Sequence, residues 1–422
     1  MATPVVSTPA APTPPPPQRG TQQPAPVPAQ RSVDTIDGAN STTTARSFGA
    51  IRLTASSLSA TRVTCSALND AEPQALGITY TFTAADPAST DAPYPLSVTF
   101  TGRRRGAGRE PGTADTFEAT ETIGDVLPGS GRVSLTTRIE NIPAGDWEIT
   151  ARPRTSAATN STPSHPSPAA AATVGQTGFL PVVRVRAPGV RPGAWPALVA
   201  IGAAVALTVQ NLFAVRLGLP ALPVLALSLI ACLLGLVGAR VYYMIEHPAR
   251  ARGWMSMTSG MCIQGFVLTA VAVLLVGSVL VGLPVTTLLD ATTPALLFGM
   301  GIGRLGCFFG GCCAGRPTAS RWGLWSSDRK LGRRRVPTQL YESAAALLLA
   351  TAVSLVLAAI HRSIGGALFV GGLAAYLTAR QLLFPLRDLP RHTAHGRSVV
   401  LVVSVLVVIG AVLVGVLGGA GG

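Results

Sequence analysis

The sequence predicts a membrane-embedded bundle of about seven α-helices, preceded by a small all-β domain and a proline-rich tail. The 422 residues are 48% hydrophobic and only 12% charged, which is unlike one soluble domain. Long apolar runs follow one another from Trp195 onward. Before them, short runs alternate apolar and polar residues, as half-buried strands do.

The chain is strongly basic, with a formal net charge of +14, and Lys330 is its only lysine. Arginine side chains suit forked contacts to phosphate. A GC-rich genome would produce the same overall bias, although it would not explain where individual arginines lie. No segment resembles a nucleic-acid-binding module, so we expect a lipid headgroup rather than nucleic acid as the partner of this charge.

The first 47 residues form a Pro/Ala/Thr-rich segment of low complexity, with runs such as APTPPPPQ. Such a composition buries too little apolar surface to fold, and we predict a disordered tail that acts as a spacer. It contains no apolar core of the kind found in a signal peptide.

The β domain is predicted over residues 48–154. The alternating runs are TRVTCSA, GITYTFTA, LSVTFTG, GRVSLTTRI and DWEITARP, separated by turn residues. This pattern, with an inward-facing Trp147, indicates an immunoglobulin-like sandwich. Arg103, Arg104 and Arg105 are interpreted as a solvated loop rather than a ligand site. Residues 155–193 are predicted to be a linker rich in Ser, Thr, Pro and Ala.

The transmembrane domain is predicted over residues 194–422. The apolar runs lie near 195–214, 221–245, 261–282, 286–302, 340–360, 364–384 and 398–418. The fourth run is the least regular, because Asp290 and several glycines dilute it.

Most loop arginines lie on the side of the membrane that also carries the β domain. The positive-inside rule would place that side in the cytoplasm. A headgroup-binding site is itself rich in arginine, however, and a sandwich joined through a Ser/Thr/Pro linker suits a cell surface. We therefore expect the β domain outside.

The segment from Gly303 to Glu342 carries the chemistry. It begins with GRLGCFFGGCCAGRPT, continues through a basic run and ends in VPTQLYE. Because it lies between two apolar runs, its arginines, cysteines and Tyr-Glu pair gather at the edge of a membrane. Polar groups are costly to hold there, so they indicate a functional site.

These motifs resemble those of the bacterial phosphatidylglycerol–prolipoprotein diacylglyceryl transferases. That family has a signature Gly-Arg-x-Gly-Asn-Phe-x-Asn-x-Glu-x-x-Gly and, later, Pro-Ser-Gln-Leu-Tyr-Glu. The matching residues here are Gly303, Arg304, Gly306, Phe308 and Gly315, then Pro337, Gln339, Leu340, Tyr341 and Glu342. Weaker likenesses occur in order at GARVYY, SGMCIQG, LLDATTPALLFGMGIGR and YLTARQLLFPLR.

The resemblance covers residues 195–420 and implies transfer of a diacylglyceryl group from phosphatidylglycerol to a lipobox cysteine thiol, with release of glycerol phosphate. Arg304 and Arg380 align with family arginines suited to holding the phosphate, and Arg240 and Arg387 are supporting candidates. An arginine at a membrane edge can instead extend its charge to the interface.

The proton-handling positions depart from the family. Gln264 replaces a histidine, Cys307 an asparagine and Cys312 a glutamate, while Phe384 replaces another glutamate. Glutamine forms hydrogen bonds but does not titrate near neutral pH. Glu342 is a candidate base and Tyr341 a candidate donor; the alternative is a helix cap and an interfacial aromatic residue.

Cys307, Cys312 and Cys313 share one loop. Small-residue packing, a disulfide from Cys307 to either partner, and a metal or reactive-thiol role all remain open. The spacing matches no standard zinc motif, and we expect neither a metal nor a cofactor.

The sequence thus predicts a multi-pass transferase of the bacterial plasma membrane that acts in lipoprotein biosynthesis. Its expected partners are phosphatidylglycerol, the bilayer and prolipoprotein signal peptides with a lipobox cysteine; the partner of the β domain stays open. The alternative is a non-catalytic or re-purposed lipid-binding relative whose β domain recruits another protein.

Overall fold

A computed structural model describes residues 56–60, 71–86, 92–108, 112–155, 167–183, 187–246, 262–389 and 395–420. The predicted tail, the run TRVTCSA and the arginines at 184, 186, 250, 252 and 391 lie outside these ranges.

Two antiparallel sheets form the β domain. Its strands are β1 Ser57–Ala60, β2 Gln74–Thr83, β3 Tyr94–Arg104, β4 Thr116–Val126, β5 Arg132–Glu140, β6 Asp146–Thr155, β7 Ala171–Gln176 and β8 Gly178–Phe179. A hairpin from the membrane domain adds β9 Leu324–Asp328 and β10 Leu331–Arg335. One sheet has the order β1-β2-β5-β10-β9, with β8 also paired to β2; the other has the order β4-β3-β6-β7.

The core lies between the sheets and follows the alternation of the sequence. Along β3, every second side chain is buried, including Leu96, Val98 and Phe100. The Trp147 side chain is fully buried, and its ring packs 5.4 Å from the ring of Phe117. The predicted sandwich and the inward-facing Trp147 are therefore confirmed.

The strand content differs from the sequence interpretation at several places. β7 and β8 lie within residues 155–193, which were predicted to be linker, because AATVGQ pairs along β6 at the edge of the sheet. β1, β4, β9 and β10 were not predicted at all. The domain boundaries themselves stay predictions.

Within the described ranges, seven helices are long and apolar enough to cross a membrane, as predicted. They are α1 Ala194–Arg216, α2 Ala221–Glu246, α3 Ile263–Val281, α4 Val285–Gly310, α5 Thr338–Ile360, α6 Ala367–Leu383 and α7 Gly396–Ala420. A 3₁₀ turn, Phe384–Leu386, extends α6.

α4 is the most buried of these helices, which explains its irregular composition. Asp290 is fully buried, and its Oδ2 accepts hydrogen bonds from the Ser363 hydroxyl at 2.7 Å and the Ile364 amide at 2.9 Å. The carboxylate thereby satisfies donors before α6, where no water is present to do so. The small residues let neighbours approach: a Cβ on Gly202 of α1 would lie 3.0 Å from the carbonyl oxygen of Gly299.

The β9–β10 hairpin joins the two domains. β10 pairs antiparallel with β5 and places Gly332 opposite Ser134. The Trp325 indole donates a hydrogen bond to the carbonyl of Arg132 at 3.1 Å, and the Arg132 guanidinium lies 4.8 Å from the Trp325 ring centroid. One sheet therefore runs from the sandwich into the loop between α4 and α5.

Ion pairs and the segment before α1 reinforce this junction. Arg333 on β10 donates to the backbone carbonyl of Asp125 at 2.6 Å, and Lys330 contacts Glu121 at 3.1 Å. The Ala187 amide donates to the carbonyl of residue 329 at 2.7 Å. Because most of these bonds involve backbone, the sandwich is held in a defined register on the loop.

We expect Gly332→Ala to weaken the junction, because a Cβ there would lie 2.5 Å from both the Ser134 hydroxyl and the Trp325 ring. Overpacking of this kind costs about 1–3 kcal/mol. The Thr136 amide donates across the junction to a carbonyl of the β9–β10 turn. Its hydrogen should exchange with solvent faster, by the factor that this loss of free energy corresponds to.

Gly124→Ala on β4 is the matched control, since a Cβ at Gly124 meets nothing within 4 Å. Equal exchange at Thr136 in the wild type and in Gly332→Ala would contradict the account of the junction.

Candidate functional site

The candidate site is built around the carboxylate of Glu342. Its side chain is 1% exposed, and the residue lies one turn after the start of α5. Arg304, near the end of α4, places its Nε 3.0 Å from Glu342 Oε2. A buried carboxylate costs several kcal/mol unless it is paired, so this contact is a condition for burying Glu342.

Arg387 binds the same carboxylate from a chain segment that is distant in sequence from α4 and α5. It follows the 3₁₀ turn after α6, and its Nε donates to Glu342 Oε1 at 2.7 Å while its Nη2 donates to Oε2 at 2.6 Å. Two parallel bonds of this kind fix the orientation as well as the distance of the guanidinium. Glu342 therefore aligns two arginines from different elements.

A third cation, Arg380, lies in the last turn of α6, close enough to Arg304, Arg387 and Glu342 for their charges to act on it. Tyr376, one turn earlier, forms a side-chain hydrogen bond with Arg304. In the described part of the chain, no carboxylate forms an ion pair with Arg380. Three guanidiniums thus lie around one carboxylate that pairs with only two of them, which leaves excess positive charge at a membrane edge.

Backbone hydrogen bonds hold the loop after α4 beside these arginines. The Arg316 amide donates to the Leu386 carbonyl at 2.8 Å, and the Asp388 amide donates to the Ala314 carbonyl at 3.1 Å. A Cβ on Gly315 would lie 2.1 Å from the carbonyl oxygen of Val336, so only glycine fits there. Gly315 is the signature residue that lets the loop lie against the Arg387 segment.

A second set of ion pairs ties β10 to the residue after Arg387. The Arg335 side chain is 1% exposed and donates to Asp388 Oδ2 at 2.7 Å and to the Gly315 carbonyl at 3.0 Å. Arg333 lies 3.6 Å from the same carboxylate. Burial and the neighbouring Arg335 lower the pKa of Arg333, and Asp388 opposes that shift.

The three cysteines converge, although they do not share one loop as the sequence suggested: Cys307 lies near the end of α4, and Cys312 and Cys313 lie in the loop after it. Their sulfur atoms all lie within 4.8 Å of one another. Gly311, with φ 66°, and Cys313, with φ 54°, turn the chain back on the end of α4 to achieve this. Hydrogen bonds from the Cys307 and Cys312 thiols lower the pKa of Cys313 well below its ordinary value, and the charges of Arg304 and Arg387 act in the same direction.

The other predicted residues lie elsewhere or at the rim. Tyr341 is 41% exposed. Gln264 is exposed at the start of α3 and accepts a hydrogen bond from the Cys262 thiol at 2.7 Å. Arg240 lies on α2, its guanidinium 5.7 Å from the Tyr243 ring centroid. The structure groups Arg304, Arg380, Arg387 and Glu342, whereas Gln264 and Arg240 belong to the packed pair α2–α3.

Two motif glycines differ in what surrounds them. A Cβ on Gly306 would lie 3.3 Å from the backbone of Trp195, so Gly306 permits close packing of α1 and α4. A Cβ on Gly303 would meet nothing within 4 Å, so packing does not explain that glycine.

Sequence reasoning missed two residues that contribute to the site. Tyr376 opens the run YLTAR, and its spacing of four from Arg380 places both on one helix face. Gln339 is 2% exposed, and its Nε2 donates to the Cys312 carbonyl at 3.0 Å. Its place inside PTQLYE was a signal that could have identified it.

Comparisons with known proteins match the membrane part of the chain. The family model for prolipoprotein diacylglyceryl transferase matches residues 190–417. Similar proteins named phosphatidylglycerol–prolipoprotein diacylglyceryl transferase occur in Leifsonia xyli subsp. xyli, Synechocystis sp. and Nostoc sp. Their identities are 32%, 35% and 30% over 28%, 25% and 35% of this chain. These matches span 39%, 41% and 58% of the relatives' own lengths. The family match covers the helices and the loop that carry the arginines and Glu342, and the chain belongs to the prolipoprotein diacylglyceryl transferase family.

Proposed function

We propose that this protein transfers a diacylglyceryl group from phosphatidylglycerol to the thiol of a lipoprotein precursor. The observation that carries the proposal is the grouping of Arg304, Arg380 and Arg387 around the single carboxylate of Glu342, which pairs with Arg304 and Arg387 but not with Arg380. The resulting excess of positive charge suits a phosphodiester, which carries one negative charge and gains another as glycerol phosphate departs.

The arginines would act in two ways. Guanidiniums hold phosphate oxygens through charge-assisted hydrogen bonds, which orients the glycerol carbon for attack. They also stabilise the charge that builds on the leaving group, an effect that is large where water is excluded. Arg304 and Arg387 are fixed by Glu342, so little reorganisation is needed when the substrate binds.

Glu342 fits a positioning role better than the role of a base. Both its oxygens accept hydrogen bonds or form ion pairs with guanidiniums. Contacts of this kind hold guanidiniums in a fixed orientation and leave neither carboxylate oxygen without a partner. We therefore assign Glu342 to the alignment of Arg304 and Arg387.

A second candidate function is lipid binding without transfer. It is favoured by Gln264, which replaces the family histidine and cannot carry a proton at neutral pH. In that case the arginine cluster would hold a phosphatidylglycerol headgroup and the sandwich would recruit another protein. The two functions differ in whether diacylglyceryl appears on an acceptor.

Expression in cells depleted of their own diacylglyceryl transferase tests the reaction. The wild-type chain should restore lipidation of a lipobox substrate, because the phosphate-binding cluster is complete. Arg304→Ala should reduce transfer about 10²–10³-fold, the usual loss for a group that stabilises transition-state charge.

Arg216→Ala is the control for that experiment, since Arg216 ends α1 and its guanidinium lies against Phe213. If the wild-type chain reaches the membrane but the substrate stays without lipid, the proposed transfer reaction is refuted and the lipid-binding alternative is favoured.

Binding of phosphatidylglycerol tests the cluster independently of transfer. Arg380→Ala should weaken binding about 10–100-fold, since a hydrogen bond to a charged group contributes about 1.5–3 kcal/mol. Native mass spectrometry of detergent-solubilised protein titrated with phosphatidylglycerol would measure this. Phosphatidylcholine serves as the comparison lipid, and equal retention of the two lipids by the wild type would rule out a headgroup site.

A further inference from the structure

Cys307 near the end of α4 forms a group with Cys312 and Cys313 of the α4–α5 loop, and the arginine chemistry does not use this group. Their sulfur atoms lie within 4.8 Å of one another. Sulfur atoms around a tetrahedral zinc ion lie about 3.8 Å apart, given Zn–S bonds of about 2.3 Å. A shift of less than about 1 Å therefore brings this group to ligand geometry.

The backbone holds the cysteines together at some cost. Cys313 has φ 54°, a conformation that non-glycine residues rarely adopt. On one side of it, Gln339 Nε2 binds the Cys312 carbonyl; on the other, the Ala314 carbonyl accepts from the Asp388 amide. Strain kept in place by its surroundings is typical of functional sites.

The charges nearby suit a thiolate–metal group. Three thiolates around a divalent cation carry one net negative charge, and Arg304 and Arg387 lie close enough to act on Cys313. Among the described residues, this group provides three protein ligands and no fourth. Three protein ligands with an open position is the pattern of catalytic rather than structural zinc sites.

One polar atom beside the cluster also needs a partner. Gln339 Oε1 is buried and has no hydrogen-bond partner among the residues that the structure describes. Gln339 is held to the cysteine loop through its other amide atom. A water or thiol in the open position would supply the missing donor.

We propose that Cys307, Cys312 and Cys313 bind a zinc ion whose fourth position takes the acceptor thiol as a thiolate. This inference rests on the proposed transfer reaction and departs from our expectation of no metal. It accounts for the presence of Cys307 and Cys312 at two signature positions together with Gln264 in place of the family histidine, because a metal-bound thiol is deprotonated without a base.

The step balances without an oxidant or reductant. The acceptor thiol binds zinc and gives its proton to solvent water. The sulfur lone pair attacks the carbon of the diacylglyceryl group that is bonded to the phosphate oxygen. The bond between that carbon and that oxygen breaks. The electron pair leaves with glycerol phosphate, which the arginines hold, while zinc keeps its charge throughout.

The test is metal analysis of the full chain, purified in detergent under reducing conditions with zinc in the growth medium. We expect about one zinc ion per chain. Cys307→Ser and Cys313→Ser should each remove most of it, while Cys232→Ser in α2 should not. Loss of zinc from Cys232→Ser as well would point to general unfolding and count against the assignment.

A measurement on the wild-type protein avoids dependence on variants that fold poorly. Replacing zinc with cobalt should produce a thiolate-to-cobalt charge-transfer absorption, and metal should protect the three thiols from alkylation until a chelator is added. Metal-free protein with reactive thiols overturns the proposal, and so does a disulfide from Cys307 to either partner.

The metal site and the transfer reaction fail separately. Zinc in a chain that transfers no lipid leaves the metal site standing as a binding site and refutes its role with the acceptor. Full transfer by zinc-free protein refutes the metal site and leaves the proposed reaction intact.

Discussion

The structure of the candidate site depends on one buried carboxylate that is shared by guanidiniums. Glu342 is nearly inaccessible to solvent, yet it contacts Arg304 from α4 and Arg387 from the segment after α6. Removing the Glu342 carboxylate would leave both buried guanidiniums without their shared partner, and loss of a buried partner typically costs about 3–5 kcal/mol. Three chain segments that are distant in sequence are therefore held in one geometry. Of the three arginines around Glu342, Arg380 is the one whose charge is not balanced by an ion pair with this carboxylate.

The β domain is connected to this arrangement through the β9–β10 hairpin. Arg333 contacts Asp125 of the sandwich and Asp388 at the end of α6. Asp388 follows Arg387 directly, so the ion pairs of the hairpin and those of Glu342 meet at adjacent residues. The sandwich is thus part of the framework around the site rather than a separate module on a linker, and it shares the side of the membrane to which the cysteine loop belongs.

Much of the fold could be predicted from local pattern. Apolar runs of sufficient length identified all seven helices, and alternation identified β2, β3, β5 and β6. The hairpin could not be found in this way, because LWSSD and LGRRR alternate weakly and become strands only by pairing with β5, which is distant in sequence. AATVGQ was likewise assigned to the linker, because its side chains are small and it becomes a strand through its pairing with β6.

The candidate site, like the fold, could be predicted only in part from the sequence. The motifs GRLG and PTQLYE identified Arg304 and Glu342, and the late run identified Arg380 and Arg387. Their mutual contacts did not follow from sequence, which offered Glu342 as a candidate base or as part of a helix cap; in the structure both its oxygens contact guanidiniums.

The cysteines were visible as a cluster in sequence. Whether their sulfur atoms meet depends on the left-handed backbone at Gly311 and Cys313, which the spacing does not reveal. Local spacing therefore predicted candidate residues, and tertiary contacts decide which of them lie together.

The central claim is that Glu342 leaves Arg380 and Arg304 able to bind a phosphate at the membrane edge. A cryo-electron microscopy structure in nanodiscs containing phosphatidylglycerol tests it most directly. The account predicts a lipid phosphate within hydrogen-bonding distance of both arginines, with the Glu342–Arg387 pair intact. A carboxylate of the protein paired with Arg380, or a headgroup bound only at a different part of the bundle, would contradict it.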